Sequence, residues 1–171
     1  MKTFKDIRDT NIFANPILSD GDYKLRPTVK AIIKDKDGNI AILKARGHYL
    51  LPGGGVEEGE DKIKAIKREI KEEIGCNIAD IEELGTSDQF RNKEMKHYQI
   101  SFFVASIDGE KGLPTTTQED ELQDVEVVWE NKENVFNLLK NQISITDENE
   151  YNFCFNARSH FEAFQEFYNK E

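Results

Sequence analysis

Residues 51–75 read LPGGGVEEGEDKIKAIKREIKEEIG. Three consecutive glycines lead into a segment of helical period that carries Glu57, Glu58, Glu60, Glu69, Glu72 and Glu73. Like unit charges about 4 Å apart repel by roughly 4 kcal/mol at an effective dielectric near 20. A fold containing this stretch must turn these side chains apart into water or place positive charge between them. A helix over 61–74, at about 100° per residue, gathers Ile63, Ile66, Ile70 and Ile74 into one apolar stripe that must face a core. Glu69, Glu72 and Glu73 share a sector bordering that stripe, and Ala65 falls within the same sector, where its small side chain leaves room above the acids. Lys64, Lys67 and Lys71 fall on the other side and read as the solvated face. The helix's own lysines therefore do not neutralise the three acids. Crowded carboxylate oxygens suit Mg²⁺ or Mn²⁺, hard cations that take oxygen ligands and bridge to phosphate.

The glycines fit the same reading. Gly53, Gly54, Gly55 and Gly59 let the main chain pass close to a ligand and turn tightly into the helix. The loop is not a phosphate-cradling P-loop, because no G-K-[ST] follows it. Gly54, Glu60, Arg68, Glu69, Ile70, Glu72, Glu73 and Gly75 stand at the spacing G-x5-E-x7-R-E-U-x-E-E-x-G-U, with U a bulky aliphatic. In this the chain resembles the Nudix hydrolases over 54–76. Cys76 stands where an aliphatic is usual, and cysteine behaves as a small buried hydrophobe.

The resemblance implies a Nudix fold, an α/β/α sandwich around a mixed sheet, within one domain over 1–171. It implies metal-dependent hydrolysis of a nucleoside diphosphate linked to another group. Carried over residue by residue, Glu69, Glu72 and Glu73 would bind Mg²⁺ or Mn²⁺, and Gly54 with Gly55 would shape the metal-binding loop. Gly53 and Gly75 would serve its turns. Glu60 and Arg68 would brace loop against helix through a salt bridge. Glu72 or Glu69 could act as general base; outside 54–76, Glu121, in the acidic run 118–121, is the first candidate.

The rest of the chain supports an α/β or α+β class. TVKAIIK (28–34) and IAILKA (40–45) flank an Asp37-Gly38 turn and read as a hairpin. A strand is expected within 77–90, a stronger one over 97–107, a loop over 108–122 and a strand over 125–130. Asn131 is placed to cap a short helix through Leu139. From about Glu150, Phe153, Ala157, Phe161, Phe164 and Tyr168 recur at helical spacing, an amphipathic C-terminal helix packed on the body. His160 falls outside that stripe and is expected in solvent.

The formal net charge of −10 argues against a nucleic-acid partner, since sequence-independent binding of that kind needs a basic surface. A small nucleotide-type substrate needs only local cations: Arg26, Arg46 and Arg91 are the candidates, with His48, Lys93, Lys96 and His97 nearby in sequence. Tyr49 and Phe90 are candidates to stack on a base. No run approaches the ~20 apolar residues of a membrane span, the start lacks a secretory apolar core, and Cys76 and Cys154 read as free thiols, so a cytoplasmic location is expected. Homodimer formation is left open by the sequence. Two other readings compete with hydrolysis of a small nucleotide. One is a regulatory domain that binds nucleotide without cleaving it; the other is removal of pyrophosphate from RNA 5′ ends.

Overall fold

The computed structural model describes residues 2–19, 21–115 and 125–170. Its strands are β1 (Lys2–Thr3), β2 (Ile7–Arg8), β3 (Lys24–Lys34), β4 (Ile40–Ala45), β5 (His48–Leu50), β6 (Asn77–Arg91), β7 (Lys96–Asp108) and β8 (Val125–Glu130). Its α-helices are α1 (Lys62–Ile74), α2 (Lys132–Lys140) and α3 (Tyr151–Lys170). One mixed sheet runs β1-β6-β7-β3-β4-β5, with β2 also on β6 and β8 also on β4. The long central pair β3 and β7 is parallel, while β6–β7, β4–β5 and β4–β8 are antiparallel.

The period of two along the strands divides the core. Val29, Ala31 and Ile33 of β3, Ala41 and Leu43 of β4, and Phe103 and Ala105 of β7 pack with Ala65, Ile66, Ile70 and Ile74 of α1. Ile32, Ile40, Ile42, Ile100 and Phe102 pack on the opposite face with Val135 and Leu139 of α2 and Ala163, Phe164 and Phe167 of α3. The result is the helix–sheet–helix sandwich expected from the resemblance. A third cluster joins Ile7, Ile12 and Phe13 to Tyr151, Cys154 and Phe155, tying the N-terminal segment to the start of α3.

The elements start and stop on the expected chemistry. The Asp61 side chain accepts from Lys64 N at 2.8 Å and caps α1, and Gly75 closes it at φ 79°. Asn131 accepts from Asn134 N at 2.8 Å at the start of α2. The β5 strand, too short to show a period, was not foreseen, nor were β1 and β2.

Two expectations about the helices are corrected. Ile63 is exposed, while Ala65 is fully buried in the core. The buried face of α1 is thus turned towards Ala65, which brings the Glu69–Glu73 flank inward instead of leaving it beside the stripe. The small Ala65 lets the helix sit close to the sheet; it does not open space above the acids. His160 is also fully buried, not solvated: its Nδ1 accepts from Leu51 N at 3.1 Å and its ring meets Phe102 edge-on.

One departure from a simple hairpin positions the site. β3 and β4 pair only at Lys34–Ile40. Beyond that point the strands part, and residues 52–56 fill the gap along β3. Val29 N donates to Gly54 O (2.9 Å), Ala31 N to Pro52 O (2.9 Å) and Val56 N to Pro27 O (3.0 Å). The glycine loop is therefore hydrogen-bonded to the central sheet before it enters α1.

Candidate active site

Gly53 makes the loop's closest approach to the sheet. Its φ is 124°, and a Cβ there would lie 2.2 Å from Val29 O. Only glycine fits that backbone and that space. Gly53 N in turn donates to Glu73 Oε2 at 2.6 Å, so the loop also meets α1. At Gly54 a Cβ would fall 2.6 Å from the Glu69 carboxyl, and at Gly55 it would fall 2.9 Å from Arg26 Nη2. These three residues place Glu73, Glu69 and Arg26 against one turn of main chain.

Arg68 joins the acids to this loop. Its Nε and Nη2 donate to the two carboxylate oxygens of Glu60, each at 3.0 Å, and Nη2 also reaches Gly55 O at 2.9 Å. Its Nη1 donates to Glu69 Oε1 (2.7 Å) and Glu72 Oε2 (3.3 Å). A two-point guanidinium–carboxylate pair adds orientation as well as energy. Hydrogen bonding from Arg68 first, then from Glu57 N, holds the Glu60 carboxyl below its usual range, and Glu60 holds the guanidinium strongly charged. The predicted salt bridge between Glu60 and Arg68 is present.

Glu73 is in a different state. Burial pushes its carboxyl up to about 7, with Glu69 and Glu72 adding to the rise, against Lys30 and the Gly53 N–H. Burial thus makes its negative charge costly to hold, and a cation bound beside it would favour the ionised form. Among the described residues, no three His, Cys, Asp or Glu side chains are drawn together closely enough to enclose one ion. Glu69 and Glu72 share Arg68 instead. The donor set nevertheless suits a hard divalent cation: three carboxylates on one flank of α1, over a glycine turn that leaves them room. If Glu69 belongs to such a set, Gly54→Ala pushes its carboxyl aside while leaving the backbone in place. The expected result is manganese affinity about tenfold weaker with the melting temperature within about 2 °C of wild type, read by titration and thermal unfolding.

The remaining candidates lie at different distances from this centre. Arg26 rests on Gly55 and is the register partner of Tyr98 on β7. Arg91 is buried at 4% exposure on β6, where Nε and Nη2 donate to Gln89 Oε1 (3.0 and 2.6 Å) and Nη2 to Asn156 Oδ1 (2.7 Å). It also lies over the Tyr98 ring at 4.0 Å. Burial holds its pKa below the ordinary arginine value. Arg46 sits exposed in the Arg46–Gly47 turn at φ 50°, and no described contact joins it to the glutamates. Glu121 and the acids around it lie outside the described residues. The neighbouring loop meets the main chain at the C-terminal end of α1: Thr115 N donates to Glu72 O at 2.8 Å, and a Cβ on Gly75 would lie 2.4 Å from Leu113 O.

Phe90 has both faces covered, by the Arg8 guanidinium at 3.8 Å and the His97 ring at 4.3 Å, so it cannot stack on a base as suggested. His48 stacks on Phe153 at 3.8 Å and meets Glu150 Oε2 at 2.7 Å, which ties β5 to the start of α3. Lys30, read from sequence only as a strand residue, reaches the glycine turn of the site. Its Nζ donates to Gly53 O. Period-two alternation turns it away from Val29 and Ala31, but towards the side of the buried Ile32, so the sequence held no signal for it.

Comparison with known proteins decides the family. The NUDIX domain model matches residues 24–149. The chain belongs to the Nudix family. Among curated relatives, it is 37% identical over 71 residues to an RNA pyrophosphohydrolase from Halorhodospira halophila, covering 40% of this chain and 38% of that protein. It is 35% identical over 85 residues to another from Wolbachia pipientis, covering 48% of each. The match thus spans less than half the length of either relative. Among solved structures, the MutT protein of Methanosarcina mazei aligns over 87% of this chain and 98% of its own, with a TM-score of 0.55 at 22% identity. A MutT NUDIX hydrolase from Burkholderia pseudomallei aligns over 64% and 85%, with a TM-score of 0.54 at 24% identity. At these identities the likeness is one of fold.

Proposed function

We propose that this Nudix protein hydrolyses a phosphoanhydride bond in a nucleoside diphosphate-linked substrate, with Mg²⁺ or Mn²⁺ held by Glu69, Glu72 and Glu73. The observation that carries the reading is the convergence of Glu69 and Glu73 on a glycine turn hydrogen-bonded to β3, with Arg68 bracing both ends. Bound metal would supply positive charge to the phosphoryl oxygens and make a bound water more acidic. The chain's own residues do the rest. Glu60 and Arg68 hold the loop against α1. Gly53 fixes where Glu73 points. Arg26, on the surface of Gly55, is the first residue placed to meet a substrate phosphate. Of the two α1 glutamates paired with Arg68, Glu72 has the more open side chain, 43% exposed against 13% for Glu69, and so has the better access to an attacking water. It is the preferred proton acceptor among the described residues; Glu121 is the alternative outside them. Arg91 is committed to Gln89 and Asn156, and in this reading it braces β6 against α3 and does not contact substrate.

The names of the curated relatives favour a second reading, in which the substrate is the 5′ end of RNA. The net charge of −10 opposes a long nucleic-acid footprint but not a short 5′-terminal one. Incubation with Mg²⁺ and a panel of nucleoside triphosphates, nucleotide sugars, ADP-ribose and 5′-triphosphorylated RNA separates these readings. Phosphate or nucleotide release that stops with EDTA is expected from at least one of them. Release from none, alongside tight nucleotide binding, would instead make this a non-catalytic nucleotide-binding domain.

A further inference from the structure

The Lys30 side chain leaves the central strand on the side away from Val29 and Ala31 and ends at the glycine turn that holds Glu73. It is half-buried, and its Nζ donates to Gly53 O, the carbonyl of the residue whose N–H holds Glu73. Burial holds its amine below the ordinary lysine range; Glu73 first and Glu69 second pull it back up, and Arg91 opposes them. Two cations therefore lie near the acids of α1, Arg68 in direct contact and Lys30 on the carbonyl of the residue whose N–H holds Glu73. Arg68 takes Glu69 and Glu72 from the loop side. Glu73 is left to the Gly53 N–H and to the charge of Lys30 on the sheet side.

A half-buried ammonium bonded to a neutral carbonyl needs negative charge nearby to offset its lost hydration. Without metal, Glu73 and Glu69 provide it. A divalent cation on those carboxylates would consume that charge and repel the ammonium. Lys30 would then need another anion, and the anion that arrives with the metal is the substrate's own phosphate. Packing of the stem alone would be served as well by methionine, an unbranched chain one atom shorter that carries no charge.

We infer that Lys30 is a further positioning residue of this site: it competes with divalent metal for Glu73 and Glu69 in the free protein, and contacts a substrate phosphate once metal is bound. The phosphate contact rests on the hydrolase reading; the competition with metal does not. The test compares wild type with Lys30→Met and Lys30→Arg. Manganese binding is titrated by electron paramagnetic resonance without substrate, and steady-state kinetics are measured on whichever nucleotide the wild type cleaves. Lys30→Met is expected to bind Mn²⁺ on the order of tenfold more tightly, because a like charge has been removed from the site. It should raise KM about tenfold with kcat within about threefold. Lys30→Arg keeps the charge and should restore both values to within about twofold of wild type. Circular dichroism confirms folding; if the methionine variant does not fold, Lys30→Gln carries the same expectations. Unchanged or weaker Mn²⁺ binding in the neutral variant overturns the competition, and unchanged KM overturns the phosphate contact. A wild type that cleaves nothing sinks the hydrolase reading and the phosphate contact with it, while the manganese titration still decides the competition.

Discussion

Glu73→Gln is expected to lower turnover of the preferred substrate by about two to three orders of magnitude, a barrier increase of roughly 3–4 kcal/mol. The amide is nearly the same size as the carboxyl, and its oxygen can still accept from Gly53 N, now 2.6 Å from Glu73 Oε2. Seating of the loop is therefore preserved, and what is lost is one negative charge. That charge is held at a cost, since burial pushes the carboxyl up to about 7. Removing it should leave the melting temperature of the metal-free protein unchanged or slightly raised. A structural role for Glu73 predicts the reverse pattern: stability falls and turnover per folded molecule is retained. Thermal unfolding, Mg²⁺-dependent turnover and Mn²⁺ affinity on one preparation distinguish the two. Near wild-type turnover would remove Glu73 from the metal set.

How much of this was legible in the sequence depends on how far apart the interacting residues lie. Glu60 and Arg68 are eight residues apart across one loop–helix junction; their pairing was implied by the resemblance to the Nudix hydrolases, because helical spacing by itself pairs Glu60 with Lys64. The strands 40–45 and 125–130 are bounded as the sequence indicated, since β-branched residues and turn chemistry are local signals. His160 was misplaced because its partner, Leu51 N, is 109 residues away, and a polar residue outside an aromatic stripe looks solvated when the stripe is the only guide. Ile63 was misplaced because an angular count gives the phase of a helix relative to its own residues, not to the sheet. Tertiary contact chose the side of Ala65, which packs closely, over the side of Ile63. Lys30 passed unnoticed because one lysine in an apolar strand carries no pattern. It gains meaning only when the 52–56 loop is laid along β3, and that depends on β3 and β4 parting after a single register pair.

That parting underlies the second large effect. Gly53→Ala is expected to destabilise the protein by about 3 kcal/mol or more, combining backbone strain with a steric clash. In a chain of this size that is a fall in melting temperature of roughly 6–12 °C. The added Cβ would meet backbone, not a movable side chain: Val29 O at 2.2 Å, Lys30 Cα at 2.9 Å and Val29 C at 3.0 Å. β3 cannot retreat, because its whole length from Lys24 to Lys34 is paired with β7. The loop must lift, and lifting it breaks the Val29–Gly54 and Ala31–Pro52 hydrogen bonds and draws Gly53 N away from Glu73. Stability and turnover should fall together, because the contacts that seat the loop also aim the glutamate. Gly59→Ala is the matched control. Gly59 also has a left-handed φ, 78°, but nothing lies within 4 Å of where its Cβ would go. It should cost only the strain, about 1 kcal/mol. Equal losses from the two substitutions would mean that φ alone is at stake and that the approach to Val29 is immaterial. A Gly53 variant much the less stable of the two ties catalytic geometry to the seating of the glycine turn on the central sheet.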